Sequence, residues 1–263
     1  MTSPGAEEDV ELGSAGRMPI VGFGTWQLRG DTAYRAVLAA LQAGYRHIDT
    51  ATMYGNEREV GRAIRDSGLA RDQLFLTSKL PPERAGHEQA TIEESLRDLG
   101  TDYLDLWLIH WPPRRGRSPA VWSQFLAIRD AGRTRAIGVS NYGVGEIDEL
   151  VQASGVSPEV DQVRWSPFTF DPGFLRECRR RGVVLEGYSP FKASRLRDAT
   201  LADVARAHQV SPAQVIVRWH VQHRVVVIPR SSEPARIASN IDVFGFELTD
   251  AEMQRLDALS ASR

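Results

Sequence analysis

The stretch YRHIDTATMYGNEREVGRAIRDSG (45–68) contains one complete structural unit, and its reading decides the fold. YRHIDTA (45–51) is a short, largely apolar run of the kind that forms a strand. NEREVGRAIRDSG (56–68) carries a helical pattern: Asn56 stands where an N-cap belongs, and Val60, Ala63 and Ile64 share one face. Between the two lie Asp49 and Tyr54, an acid and a phenol at the mouth of a strand where plain turn residues would suffice. A local cap and a surface aromatic would account for either one alone. The rest of the chain has to say why both are there.

The same unit recurs. PIVGFGTW (19–26), LFLTSKL (74–80) and YLDLWLIHW (103–111) are further strand candidates. RAIGVSN (135–141), VDQVRWS (160–166), VVLEGYS (183–189) and VVVIPRS (225–231) bring the number to eight. Several are continuous apolar runs, as expected of parallel strands buried on both faces. Helical patterns separate them, over residues 31–43, in TIEESLRDLG (91–100), EIDELVQASG (146–155) and SPAQVIVRWHV (211–221), and in a last run where Thr249 and Glu252 form a capping-box signature. Eight strand–helix alternations with no linker predict one (β/α)₈ TIM barrel over residues 1–263. A doubly wound sheet is the competitor, but a dinucleotide site there needs G-x-G-x-x-G, and GFGTWQL supplies only two glycines. DVELGSAGRMPI (9–20) reads as a short hairpin turning between Gly13 and Gly16, placed to close the bottom of the barrel.

Composition narrows the function classes. The chain has 263 residues, 42% hydrophobic and 25% charged, with a net charge of −2, which gives no reason to expect nucleic acid or an anionic membrane as partner. The single cysteine, Cys178, excludes an internal disulfide and a multi-cysteine metal site. No run reaches the roughly 18 apolar residues of a membrane span. The acidic opening MTSPGAEEDVELG lacks the apolar core of a secretory signal, so the expectation is a soluble cytoplasmic protein.

A barrel places its chemistry at the C-terminal ends of its strands. The polar residues there are Asp49, Tyr54 in the following loop, Lys79, His110, Ser140, Asn141, Gln162, Tyr188, and Arg230 with Ser231. An acid, a phenol, an amine and an imidazole on three consecutive strands would meet in one small space. Together they suit proton transfer to a carbonyl oxygen. A lysine cation about 4 Å from a phenolate attracts it by roughly 4 kcal/mol at an effective dielectric of about 20, which would lower the pKa of the phenol. Asp49 would keep Lys79 charged, Lys79 would keep Tyr54 acidic, and His110 would hold the substrate oxygen. No metal-ligand spacing appears among the strand ends, so a hydride donor is the expected source of electrons. Arg230, Ser231, Ser232 and Arg236, at a strand end leading into a helix, read as an anion site.

These residues resemble the aldo-keto reductases over nearly the whole chain, from MPIVGFGTWQL (18–28) to the last helix. GYRHIDTATMYGNEREVG is similar to the first signature of that family, with Asp49 and Tyr54 in its catalytic tetrad; SKL and LWLIHWP supply Lys79 and His110. The resemblance implies NADPH as cofactor. Ser140, Asn141 and Gln162 would grip the nicotinamide amide, and Tyr188 in GYSP, followed by Ser189, would stack on its ring. Arg230, Ser231 and Arg236 would surround the 2′-phosphate, with Asn240 at the adenine. Arg230 stands where the family often has lysine, Ser239 where many members carry an acid, and Trp165 where histidine is common. The short loop WPPRRGRSP (111–119) and the early end at Arg263 resemble bacterial members such as the 2,5-diketo-gluconate reductase group, which take small polar carbonyls. Trp26, Met53 and Trp111 are the expected apolar walls. A monomer is also implied. Two other readings stay open at this point: a Schiff-base aldolase using Lys79 as nucleophile, and a cofactor-sensing barrel with residual activity.

Overall fold

The computed structural model describes residues 9–13, 16–113 and 116–261. The chain forms a (β/α)₈ barrel. Strands β1 (Val10–Glu11) and β2 (Arg17–Met18) make an antiparallel hairpin. Eight strands follow: β3 (Phe23–Gly24), β4 (His47–Asp49), β5 (Phe75–Leu80), β6 (Leu104–Ile109), β7 (Thr134–Ser140), β8 (Val160–Arg164), β9 (Val184–Tyr188) and β10 (Val226–Ile228). All neighbouring pairs from β3 to β10 are parallel and in sequence order. The ring closes where Val21 bridges Val227 and Gly24 N donates to Pro229 O.

Close approach explains the two glycines of GFG, Gly24 at that seam and Gly22 against His47 of β4. A Cβ on Gly24 would sit 2.9 Å from the Ile228 carbonyl oxygen, and one on Gly22 would sit 2.4 Å from His47 Nδ1. They are there for close approach between strands, with no phosphate loop involved.

Ten α-helices lie among the described residues. They are α1 (Gly30–Gln42), α2 (Glu57–Asp66), α3 (Glu88–Leu99), α4 (Ser118–Asp130) and α5 (Val144–Ser154), then α6 (Pro172–Arg180), α7 (Ala199–His208), α8 (Pro212–Gln222), α9 (Pro234–Ile241) and α10 (Asp250–Asp257). The expected caps are present for α8, where Ser211 accepts from Gln214 N, and for α10, where Thr249 and Glu252 cap reciprocally. Strands β5 and β6 are buried at every position, as their apolar runs require. From the helix layer, Phe125 of α4 stacks on Trp107 of β6 with ring centroids 4.0 Å apart.

The hairpin sits at the bottom of the barrel. Val10, Leu12 and Met18 enter the core, and Arg224, just before β10, donates to the Asp9 carbonyl. Residues 14 and 15 of its expected turn lie outside the described residues, as do 114 and 115 of the loop after His110. No helix among the described residues is long and apolar enough to cross a membrane.

Candidate active site

Side chains alternate along a strand, so residues two apart share a face. His47 and Asp49, Thr77 and Lys79, Gln162 and Arg164, and Glu186 and Tyr188 are such pairs. Asp49 ends β4, and the chain turns at once into a short 3₁₀ segment, Thr52–Tyr54, stopped by Gly55 in the left-handed conformation at φ +62°. Thr52 Oγ1 donates to Lys79 O (2.9 Å), tying that turn to β5. Asn56 corrects one expectation. It occupies the N-cap position of α2 but makes no capping bond; its amide donates to Thr25 O and Leu28 O and its oxygen accepts from Thr50. The side chain staples the loop after β3 to the Tyr54 turn, which fixes where the phenol points.

Behind this turn lies a buried ion pair. Lys79 Nζ donates to Asp49 Oδ1 (2.7 Å), Asp49 Oδ2 (2.6 Å) and Thr50 O (2.8 Å). Those three bonds use all the hydrogens of an ammonium group. Lys79 is fully buried and is not among the cavity-lining residues, so it is not presented as a nucleophile.

Tyr54 departs from the sequence expectation. Its pKa is raised well above the usual tyrosine value, first by burial and then by the negative charge of Asp49. Burial and Asp49 outweigh Lys79 here, whose three donors are directed at Asp49 and Thr50. Nζ stands 5.4 Å from the centroid of the phenol ring. His110 packs edge-on to Tyr54 (5.6 Å) and stacks on Trp111 (4.1 Å). Burial, and then the Lys79 cation, push its imidazole down to about 2, so the ring is neutral. Its Nδ1 is buried without a partner among the described residues.

Tyr54 and His110 line a cavity of about 650 Å³ at the C-terminal end of the barrel. Trp26, Met53, Trp111, Ser140, Asn141, Gln162, Tyr188, Ser189 and Arg230 line it as well. Of the four exposed large apolar side chains in the described structure, three are Trp26, Met53 and Trp111, so the exposed apolar surface is concentrated on this cavity. Ser140 Oγ donates to Gln162 O and accepts from Asn141 Nδ2, while Tyr188 OH donates to Asn141 Oδ1 (2.8 Å). Asn141 and Ser189 hold left-handed φ angles of 63° and 52°, and so does Gln27 at 65°. Three of the five non-glycine residues that hold that costly region among the described residues thus line one cavity.

Ser231, Arg236 and Asn240 fall outside the lining, in the turn and helix that follow Arg230. Ser231 Oγ accepts from Glu233 N, Arg236 is exposed on α9, and Asn240 is buried. Arg230 itself donates to Trp26 O and Gln27 Oε1, bridging the end of β10 to the loop after β3. Sequence reasoning missed Gln27, Arg164, Phe191 and Lys192 on the wall and Glu186 beneath it. Glu186 had a signal: it is the one acid in VVLEGYS, in phase with Tyr188. Among the described residues no three His, Cys, Asp or Glu side chains are grouped to hold a metal.

The model of the Aldo/keto reductase family matches residues 20–261. The chain belongs to this family. The reductase is 41% identical to a glyoxal reductase of Bacillus subtilis over 258 residues, 97% of this chain and 93% of that one. It is 40% identical to a morphine 6-dehydrogenase of Pseudomonas putida over 267 residues, covering 95% and 90% of the two chains. Its structure is similar to that of a Bombyx mori aldo-keto reductase in complex with NADP, with a TM-score of 0.89 and 31% identity over 95% of this chain and 92% of that one. This aldo-keto reductase is therefore an oxidoreductase built for carbonyl reduction.

Proposed function

We propose that the protein reduces small aldehydes and ketones with NADPH, and that Tyr54 gives the proton to the carbonyl oxygen. The observation that carries this reading is the meeting of the Tyr54 phenol and the neutral His110 imidazole in one cavity, backed by the Lys79–Asp49 ion pair. When bound, NADPH would supply the hydride that carbonyl reduction needs.

The residues present fit that group. Gln162 offers a side-chain amide and Tyr188 an aromatic ring at the cavity wall, next to Ser140, Asn141 and Ser189. Arg230 stands at its edge, and Arg236 follows on α9 with no ion pair among the described residues. Ser231 and Asn240 complete the segment that would take the adenosine 2′-phosphate. The NADP complex of the Bombyx mori relative supports the assignment.

A carbonyl oxygen seated against Tyr54 gains negative charge only as reduction proceeds. Tyr54 keeps its proton until then, because burial and the Asp49 charge hold its pKa high. A nascent alkoxide is a stronger base than a phenolate, so the transfer still runs downhill. His110 is too weak a base to compete for that proton; its neutral ring orients the oxygen by hydrogen bonding. Trp26, Met53 and Trp111 exclude water from the other side.

Tyr54→Phe tests the acid. General acid catalysis is typically worth about 10²–10⁴-fold, so kcat on a small aldehyde should fall by at least about a hundredfold while NADPH still binds. Retention of more than about a third of wild-type kcat would assign the acid elsewhere. Arg236→Ala tests the phosphate: NADPH affinity should fall at least about tenfold and NADH affinity should stay the same. Equal losses would remove Arg236 from the phosphate site. A panel running from α-dicarbonyls and keto-sugars to polycyclic ketones spans the sizes named by the two relatives. Higher kcat/KM on the polycyclic end would overturn the small-substrate reading.

A further inference from the structure

Two buried carboxylates meet a single side-chain amide inside the barrel. Gln162 Nε2 lies 2.8 Å from Asp49 Oδ2 and 2.9 Å from Glu186 Oε2. An amide nitrogen has two hydrogens, so both are committed. The three residues come from β8, β4 and β9, and together they allow the amide one orientation. Flipped, its oxygen would face the Asp49 carboxylate, and Glu186 Oε2 would lose the N–H it accepts. Gln162 Oε1 accepts from no described residue, and Gln162 lines the cavity.

The chemistry proposed above does not use Glu186. The groups facing it are Asp49 and His47 from β4, Lys79 from β5, Gln162 from β8 and Tyr54 from the turn after β4. Burial, and then the Asp49 charge, push its carboxyl up to about 8, while burial pushes His47 down to about 3. Both shifts favour the uncharged forms. The acid can thus sit beside Asp49 and accept from Gln162 without setting a second negative charge against the first.

We propose that Glu186 is a positioning residue that locks the Gln162 amide so that Oε1 receives an N–H of the nicotinamide carboxamide. The proposal rests on the NADPH reading of the cavity. Asp49 is held at both oxygens by Lys79 and fixes only one N–H of the amide. Without Glu186 the second N–H has no acceptor in a buried site, which is costly. Rotation of the amide that keeps the first bond turns the second N–H toward the cavity. The site would then offer a donor as readily as an acceptor, and its preference for a carboxamide would weaken.

The test compares Kd values, from tryptophan-fluorescence quenching, for NADPH and for its 3-acetylpyridine analogue, whose acetyl group has no N–H to give. Wild type should bind NADPH about tenfold more tightly, as loss of one buried hydrogen bond implies. Glu186→Gln keeps an acceptor oxygen and should keep that ratio. Glu186→Met should reduce it to under about threefold, with affinity for 2′,5′-ADP, which lacks the nicotinamide, unchanged in all three proteins. An unchanged ratio in Glu186→Met would overturn the proposal. Should that variant not fold, hydrogen exchange at the Gln162 side-chain amide of the wild type decides, its resonances being assigned by their loss in Gln162→Met. Slow exchange of both protons supports the lock, and fast exchange of either one overturns it. Failure of the wild type to bind either dinucleotide would instead overturn the cofactor reading, and the lock with it.

Discussion

The two ends of the barrel use the same ingredients to opposite effect. At the N-terminal end, Asp105 accepts from Arg71 (2.7 Å), Arg135 (3.2 Å) and Leu76 N (2.9 Å). The Tyr103 ring lies between those two guanidiniums, at 4.1 and 4.2 Å. Each acceptor oxygen there has a donor, and Arg71 also donates to Thr101 and to the Leu74 and Tyr103 carbonyls. At the C-terminal end, Asp49 and Lys79 are equally well bonded to each other. Around them, however, His110 Nδ1 and Glu186 Oε1 are buried without a hydrogen-bond partner among the described residues, and Asn141 and Ser189 are strained. A satisfied network contributes to holding the strands together. An incompletely satisfied one, maintained by the rest of the fold, leaves groups available to a substrate.

The widest break in that comparison is Lys79→Met. It should reduce kcat by at least about a hundredfold and also destabilise the protein by about 3–5 kcal/mol, because it leaves Asp49 buried without its cation. Steady-state kinetics and urea unfolding on one preparation would show whether both losses occur. Asp105→Ala should destabilise by a similar amount, stranding Arg71 and the Leu76 amide, but kcat of the folded fraction should stay within about twofold of wild type. A large drop in kcat there would mean the two ends are coupled, and the contrast would fail.

Glu186→Gln gives the smallest effect and sharpens the contrast. The carboxyl is raised in the folded protein to about 8 from an ordinary value of 4.5, so the native state binds the proton more tightly than the unfolded chain does. Its stabilising contribution is complete below about 4.5 and is lost as pH rises through about 8. Replacing it removes that loss. Between pH 5 and 8 the melting temperature of Glu186→Gln should therefore climb relative to wild type, by about 3 °C or more. A difference that does not change with pH would mean the acid is ionised throughout.

Most of the architecture was legible in the sequence because parallel strands buried on both faces are written as apolar runs, and all eight runs hold a barrel strand. Helices α4, α6 and α7 were not singled out. In α6, PGFLRECRR offers Leu175 and Cys178 as its only buried residues, too few to make a period. That Asp49, Tyr54, Lys79 and His110 gather at one end of the barrel was legible because they stand at or just after the points where apolar runs stop. The electrostatics among them were not. Whether Lys79 points its hydrogens at Tyr54 or at Asp49 and Thr50 is set by the register of β4 against β5, which pairs Asp49 with Thr77, and by the turn that carries Tyr54. Glu186 stayed hidden for a related reason. Strand parity puts it inside the barrel beside Gln162 of the preceding strand, but Asp49, the other group that amide serves, comes from β4, far away in the chain.

The seam between β3 and β10 has a consequence for how the molecule comes into being. Val21 and Val227 are 206 positions apart (227 − 21), yet they are adjacent rungs of one ladder. A ribosome that has released the first strand must add nearly the entire chain before that strand meets its last neighbour. Until then β3 presents an unpaired edge, and the growing sheet has a second one at its advancing side. Closure cannot be gradual. The final strands convert an open, association-prone sheet into a ring without edges, so truncation shortly before residue 226 should yield insoluble protein rather than a slightly smaller enzyme.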